Sequence, residues 1–439
     1  MKRFTALATV MLLALGGCSL WDDWFGADKT PLPGKRMDVL LPESGLEIAA
    51  TGAPRVALPR PAVNADWPQS GGVPSHAMEH PALGDTISRI WSSNIGTGGG
   101  YRRKITAQPL VAAGLVFTMD SDAAVAAFDA ATGRQAWSAA TEDENNRSTN
   151  IGGGIAYDGG VVYAASGRAD VLAFEAATGK VKWRARLPAG ARAAPTVVGG
   201  RLFIPLIDSQ LIAVSATDGA KIWSFQAATV EPIVLGLPAP AFAAGLVVAG
   251  FGSGELVGLN PASGSVLWSD SLAAGRGRNS LADVSTIRGR AVIKDSRVYA
   301  VSLGQQLAAL DLRSGRRLWE REVSSAETPW VAGDFLFIVT VDARVAAIAL
   351  ADGQVAWVTQ LDAYENMEKK SDPIRWLGPV LAGDRLVLAG SNGTALALSP
   401  YTGQVLGRQE LSGKASLAPV VAGGTLYIVT DDATLAAYR

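Results

Sequence analysis

Val125-Ala126-Ala127-Phe128-Asp129-Ala130-Ala131-Thr132-Gly133-Arg134-Gln135-Ala136-Trp137 sets the architecture of this chain. A short apolar strand runs into a Thr-Gly turn, and the next strand carries a tryptophan. The same Gly-x-x-x-Trp spacing returns at Gly179/Trp183, Gly219/Trp223, Gly264/Trp268, Gly315/Trp319 and Gly353/Trp357. At Gly403 the glycine is kept, but Gly407 stands in place of the tryptophan. Glycine suits turns that need positive φ.

Upstream of each turn lies a common pattern: a Pro or small residue, an apolar segment, a tight turn, then an alternating strand. Pro109 to Phe117, Pro195 to Phe203 and Pro419 to Tyr427 show it. Strands such as Leu307-Ala308-Ala309-Leu310 and Leu435-Ala436-Ala437-Tyr438 precede or would precede the glycine turn. Consecutive tryptophans lie 38 to 51 residues apart. Short strands, a period of about 40–50 residues and one aromatic per unit describe propeller blades.

Units begin near Pro109, Ile155, Pro195, Pro240, Ala291, Pro329, Pro379 and Pro419, which makes eight. The predicted fold is therefore all-β, an eight-bladed propeller of four-stranded blades spanning 84–439. The last unit has three strands, and an orphan strand, Ser88-Arg89-Ile90-Trp91, precedes the first. Lending that strand to the last blade removes two unpaired edges. Trp91 is thus expected to complete the eighth blade and, with Trp137, Trp183, Trp223, Trp268, Trp319 and Trp357, to be structural.

The N-terminus speaks to the compartment. Lys2 and Arg3 precede a short apolar run, Phe4 to Leu15, too short for a membrane-spanning helix of about 20 residues. It reads as an export signal, residues 1–17. Cys18 is the only cysteine, so no intramolecular disulfide is available. Leu15-Gly16-Gly17-Cys18 resembles a bacterial lipobox, which implies lipidation of Cys18, and Ser19 after it implies the outer membrane. Residues 18–83, with Pro31, Pro33, Pro42, Pro54, Pro59 and Pro61, read as a lipidated tether. The charge is balanced, 39 basic against 40 acidic residues, so nothing points to nucleic acid.

The repeats resemble those of pyrroloquinoline-quinone (PQQ)-type propellers. Together with the lipobox at Cys18 and the eight units, they resemble the BamB family, lipoprotein subunits of the outer-membrane β-barrel assembly machinery. That resemblance implies a non-enzymatic scaffold facing the periplasm. Its implied partner is a BamA-like barrel protein with periplasmic domains. It also implies a docking patch at Ile233-Val234-Leu235-Gly236 and Leu281-Ala282-Asp283-Val284-Ser285. Val234 and Asp283 fit the family pattern. Leu235 stands where arginine is expected and Ser285 where a second aspartate is expected.

Quinone-dependent oxidoreductases share the repeat but need a calcium-binding carboxylate cluster, a catalytic aspartate and usually a vicinal cysteine pair. The pair is missing, and Asp120, Asp122, Asp208 and Asp342 fall at turns where Asx chemistry accounts for them. His76 and His80 have i, i+4 spacing, but Pro74 and Pro81 flank them and no third ligand is evident. No cofactor or metal is expected. The third reading is a lipoprotein propeller for another envelope component.

The connections Thr141–Asn150, Gln226–Leu237, Ser271–Gly289 and Gln360–Trp376 are long and varied. In a four-stranded blade they share a face with the turns between the second and third strands, so one face is expected to bind partners. Nascent outer-membrane strands, with unpaired backbone groups, are a second expected ligand, held by strand addition.

Overall fold

The computed structural model describes residues 44–48, 52–100, 103–142, 150–229, 238–273 and 285–439. Within them lie eight four-stranded antiparallel sheets and one two-stranded hairpin, Tyr364–Asn366 with Ser371–Pro373. Each four-stranded sheet is a blade, and its strands are called A to D from the channel outward. Blade 1 consists of Leu110–Ala112, Leu115–Met119, Val125–Asp129 and Gln135–Ala139. Blades 2 to 7 occupy 153–186, 196–226, 241–271, 292–321, 330–360 and 376–410. Blade 8 takes three strands from 420–438 and its D strand from Arg89–Asn94. Trp91 faces Ala437 in that pairing, and Asn94 faces Thr434, so the ring closes as expected.

The tryptophans link each blade to the next. The indole N–H of Trp137 donates to the Ala176 carbonyl of blade 2 at 2.8 Å, and the ring lies against Gly179. The same contact joins Trp91 to Ala130, Trp183 to Ala216, Trp223 to Pro261, Trp268 to Leu312, Trp319 to Leu350 and Trp357 to Pro400. A Cβ on Gly179 would sit 2.5 Å from the Trp137 ring, and its φ is +73°. Glycine is therefore demanded twice, by conformation and by space.

Across the sheet each of these indoles is paired with alanine (Ala127, Ala173, Ala213, Ala309, Ala347, Ala437) or with Gly258. A register shift follows directly, as between Ala127 and Phe128. Such bulges raise the local twist. Most B strands add an aromatic beside the indole, for example Phe117, Tyr163, Phe203, Tyr299 and Phe337. An indole burying about 150–250 Å² contributes at most about 4–6 kcal/mol by area.

Part of the expected tether belongs to the ring. From Asn64 to Pro81 the chain passes the innermost strand of every blade in turn. The Asn64 carbonyl accepts from Gly423 of blade 8 at 2.7 Å, and Trp67 exchanges two bonds with Val111 of blade 1. Pro68 accepts from Tyr157 of blade 2, and the Gln69 amide brackets Val197 of blade 3 at 2.7 and 3.1 Å. Pro74 accepts from Phe242, Ser75 from Ile293, the Glu79 carboxylate from Gly333 and Pro81 from Gly383, covering blades 4 to 7.

Pro68, Pro74 and Pro81 of this segment are acceptors with no N–H to satisfy, which suits a strand edge that needs acceptors. Residues 64–83 are thus packed against the ring, whereas 52–63 are mostly exposed. Only Ser44–Leu46, a single 3-10 turn, and residues 47–48 are described before them. Cys18 lies outside the described residues.

Both histidines anchor this segment. His76 Nδ1 donates to the Ala291 carbonyl at 2.7 Å, and His80 Nδ1 to the Pro59 carbonyl at 2.7 Å. His80 Nε2 accepts from the Asp384 N–H at 3.0 Å, so it is the neutral tautomer. Burial, and then the nearby Arg290 guanidinium, lower the His76 pKa from 6.5 to about 3.

Two outcomes follow. Trp137→Ala should cost about 3–5 kcal/mol and Gly179→Ala a smaller amount, read as lower urea midpoints. Between pH 6.5 and 3 the unfolded His76 binds a proton that the folded one refuses, so its stabilising contribution is lost as the pH falls. His76→Gln should therefore show a shallower loss of urea midpoint between pH 7 and 5 than the parent chain. Equal slopes would show that His76 is not the titrating group.

Candidate partner-binding face

The two faces of the ring differ. The A-to-B turns lie beside the 64–81 segment, which stoppers the channel on that side. Within the stopper Trp67 stacks on Trp330, ring centroids 6.2 Å apart at 22°. A space of about 30 Å³ remains beside them, bounded by His76, Gln108, Arg290 and Glu327. Arg290 fills much of the surroundings, bonding Ser70, Thr328 and Gln108. Burial pulls its pKa down to about 10, and burial raises that of Glu327.

The other face carries the B-to-C turns and the described ends of the D-to-A connections, as the strand count predicts. Thr141 donates to Ala123 at 2.8 Å, and Gly167 N–H donates to the Asn150 side chain at 2.8 Å. Arg168, with 2 % of its side chain exposed, reaches Glu142 at 3.1 Å and the Asp122 carbonyl at 2.8 Å. Both described ends of the 141–150 connection are therefore tied to B-to-C turns.

The turn carboxylates act locally. Asp120 accepts backbone N–H groups from Asp122, Ala124 and Thr97 at 2.8–2.9 Å, while burial raises its pKa. Asp342 takes Arg344 at 2.7 Å, and Asp208 takes the Gln210 amide at 2.7 Å. Among the described residues no group of three His, Cys, Asp or Glu side chains could hold a metal ion.

Of the expected docking residues, Val234, Leu235 and Asp283 lie outside the described residues, and Ser285 lies within them. The roots of their connections can still be followed, and both reach the B-to-C turn of blade 4, residues 251–255. Ala228, early in the first connection, donates to the Glu255 carboxylate at 2.8 Å. Leu272 donates to Gly254, the Ser285 carbonyl lies 2.8 Å from the Cβ position of Gly254, and Thr286 donates to Gly252 at 3.1 Å.

Beside them is Ile207, 37 % exposed on the B-to-C turn of blade 3. Two residues on, Ser209 accepts from Ala227 at the root of the first connection. Sequence reasoning missed Ile207. Its signal was an apolar residue directly before the turn aspartate, Asp208. Val341, 56 % exposed, holds the corresponding place before Asp342 in blade 6.

Comparison with known proteins gives a consistent result. The family model described as outer membrane protein assembly factor BamB matches residues 88–151, 121–359 and 363–439. The outer membrane protein assembly factor BamB of Burkholderia pseudomallei is 28% identical over 372 residues, covering 84% of this chain and 91% of the relative. The crystal structure of BamB from Moraxella catarrhalis superposes with a TM-score of 0.67 at 20% identity, covering 81% of this chain and 100% of that one. A europium-containing methanol dehydrogenase superposes with a TM-score of 0.69 at 12% identity, covering 85% and 98%.

Proposed function

We propose that this chain, which belongs to the family of the outer membrane protein assembly factor BamB, is a non-enzymatic scaffold for inserting β-barrel proteins into the outer membrane. Its partner in this reading is a BamA-like barrel protein with periplasmic domains. The docking patch comprises Val234, Leu235, Asp283 and Ser285, with Ile207 at its margin. The observation that carries the proposal is the common root of the two connections on residues 251–255 of blade 4. Apolar side chains next to an acid suit a partner edge with apolar and basic groups.

Cys18 anchors the chain by its lipid to the outer membrane, facing the periplasm, in the same proposal. Two or more acyl chains give stable anchoring where one gives only marginal binding. Nascent barrel strands are secondary ligands, taken up at open D-strand edges such as Val405–Glu410, whose six residues are all exposed.

The dehydrogenase neighbours raise the alternative of quinone chemistry, for which the space beside Trp67 and Arg290 leaves little room. A quinone of several fused rings needs far more room than about 30 Å³, and the stopper's Trp67, stacked on Trp330, closes that end. No cofactor therefore enters the proposed role. A propeller serving another envelope component remains the competing scaffold reading, and partner identity separates the two.

Asp283→Lys combined with Leu235→Asp should reduce co-purification of the BamA-like protein from native membranes by at least about tenfold, the equivalent of 1.4 kcal/mol. Ile207→Asp should add to the loss. Unchanged recovery from a variant with the parent's circular dichroism spectrum would refute the patch. Recovery of a different envelope protein from the parent chain would refute the partner.

A further inference from the structure

Seven seams of the ring are filled by an indole, and the seam between blades 7 and 8 is not. Across blade 1 one row of paired residues reads Phe117, Ala127 and Trp137. Across blade 7 the same row reads Val387, Ala397 and Gly407, so smaller residues replace both aromatics. A Cβ on Gly407 would meet nothing within 4 Å. The facing blade also lacks the glycine turn, because it takes its C strand from 434–438 and its D strand from 89–94.

An open groove of about 180 Å³ results, bounded by Val387, Leu396, Gly407, Leu426, Ile428 and Tyr438. Apolar cavities of about 150 Å³ accept a benzene ring, so the groove has room for a large aromatic side chain. Its rim is basic. Arg385 and Arg408 line it, and no acidic residue does. Arg408 is paired with Asp362 at 3.1 Å, whereas Arg385 is bonded to the neutral carbonyls of Gly84 and Asp85.

The strand beside the groove is an open edge. Val405–Glu410 ends its sheet, and all six of its residues are exposed. Every other D strand holds at least one buried or half-buried residue. An open edge offers unpaired N–H and C=O groups to a further strand. In an added antiparallel strand, the residue opposite Gly407 has its Cα about 5 Å away. An aromatic there lies over the glycine, as aromatics do when they rescue edge glycines in sheets. Its ring then enters the groove, where the other blades carry their indole. A carboxylate two residues along lies on the same face, and Arg385 supplies the charge that attracts it.

We propose that Val405–Glu410 adds an extended segment of a separate protein, selected by a large aromatic side chain opposite Gly407 and by an acid on the same face. The inference rests on the strand-addition reading of this edge given above and deepens it. It is independent of the docking patch at blade 4.

Fluorescence anisotropy of the purified chain with a labelled peptide, Thr-Val-Thr-Trp-Thr-Asp-Thr, tests this. The peptide should bind at least about tenfold more tightly than a version with alanine in place of tryptophan. Lysine in place of its aspartate should weaken binding about two- to fivefold, and Arg385→Gln should erase that second difference. Gly407→Trp restores the common blade sequence. It should bring the tryptophan and alanine peptides within about twofold of each other, with the circular dichroism spectrum and the recovery of the BamA-like protein unchanged. Val387→Phe, which narrows the groove from the B strand, should reduce the preference as well. Equal binding of the two peptides by the parent chain would overturn the proposal and leave strand addition standing. Binding of neither would overturn both. A dimer of the chain that Gly407→Trp abolishes would also overturn the proposal, by assigning the groove to a second copy.

Discussion

A ring of separate sheets leaves eight innermost strands, each with a free edge turned toward the channel. Unpaired backbone groups that are removed from water cost roughly what a lost hydrogen bond costs. Here those edges are met by one continuous piece of the same chain, running from Asn64 on blade 8 to Pro81 on blade 7. Main-chain bonds, the side chains of Asn64, Gln69, His76 and Glu79, and acceptor-only prolines share the work. Because the segment touches all eight blades, no blade can tilt without breaking a bond to it. The ring and its stopper are one cooperative structure.

The outer part of the blades is held by a different contact. Each indole crosses a seam, donates its N–H to a carbonyl of the next blade and lies on a glycine that no other residue could replace without clash or strain. The paired alanine, or Gly258, leaves room for the ring across the sheet. Ring closure requires a last blade built from two parts of the chain, and that blade cannot supply the glycine turn. Gly407 in place of tryptophan is therefore a consequence of how the ring is closed. A small residue there avoids projecting an indole toward a turn that does not exist.

How much of this is legible in the sequence follows from the range of the interactions. The blade repeat and the closing strand at Trp91 could be read because turn chemistry and strand alternation are local, and an orphan strand is conspicuous against eight regular units. Residues 64–81 read as tether because the blade partners of Asn64, Trp67, Gln69 and Glu79 are distant in the chain. Proline density alone says nothing of carbonyls lined up against other strands. His76 and His80 illustrate the same limit. Their spacing suggests a shared ligand, yet each ring serves a separate backbone carbonyl. On the face of the B-to-C turns, long connections could be counted, whereas the common root of two of them on blade 4 depends on three-dimensional neighbours such as Glu255 and Gly254.

The division of labour between the faces bears on function. With the channel stoppered from the A-to-B side, the segment that would otherwise be spare chain is committed to the fold. The described ends of the variable connections are on the opposite face, where contacts such as Arg168 with Glu142 fix their roots without covering Ile207 or Val341. In the role proposed above, a ring sealed on one side by its own chain would act by raising local concentration and restricting orientation.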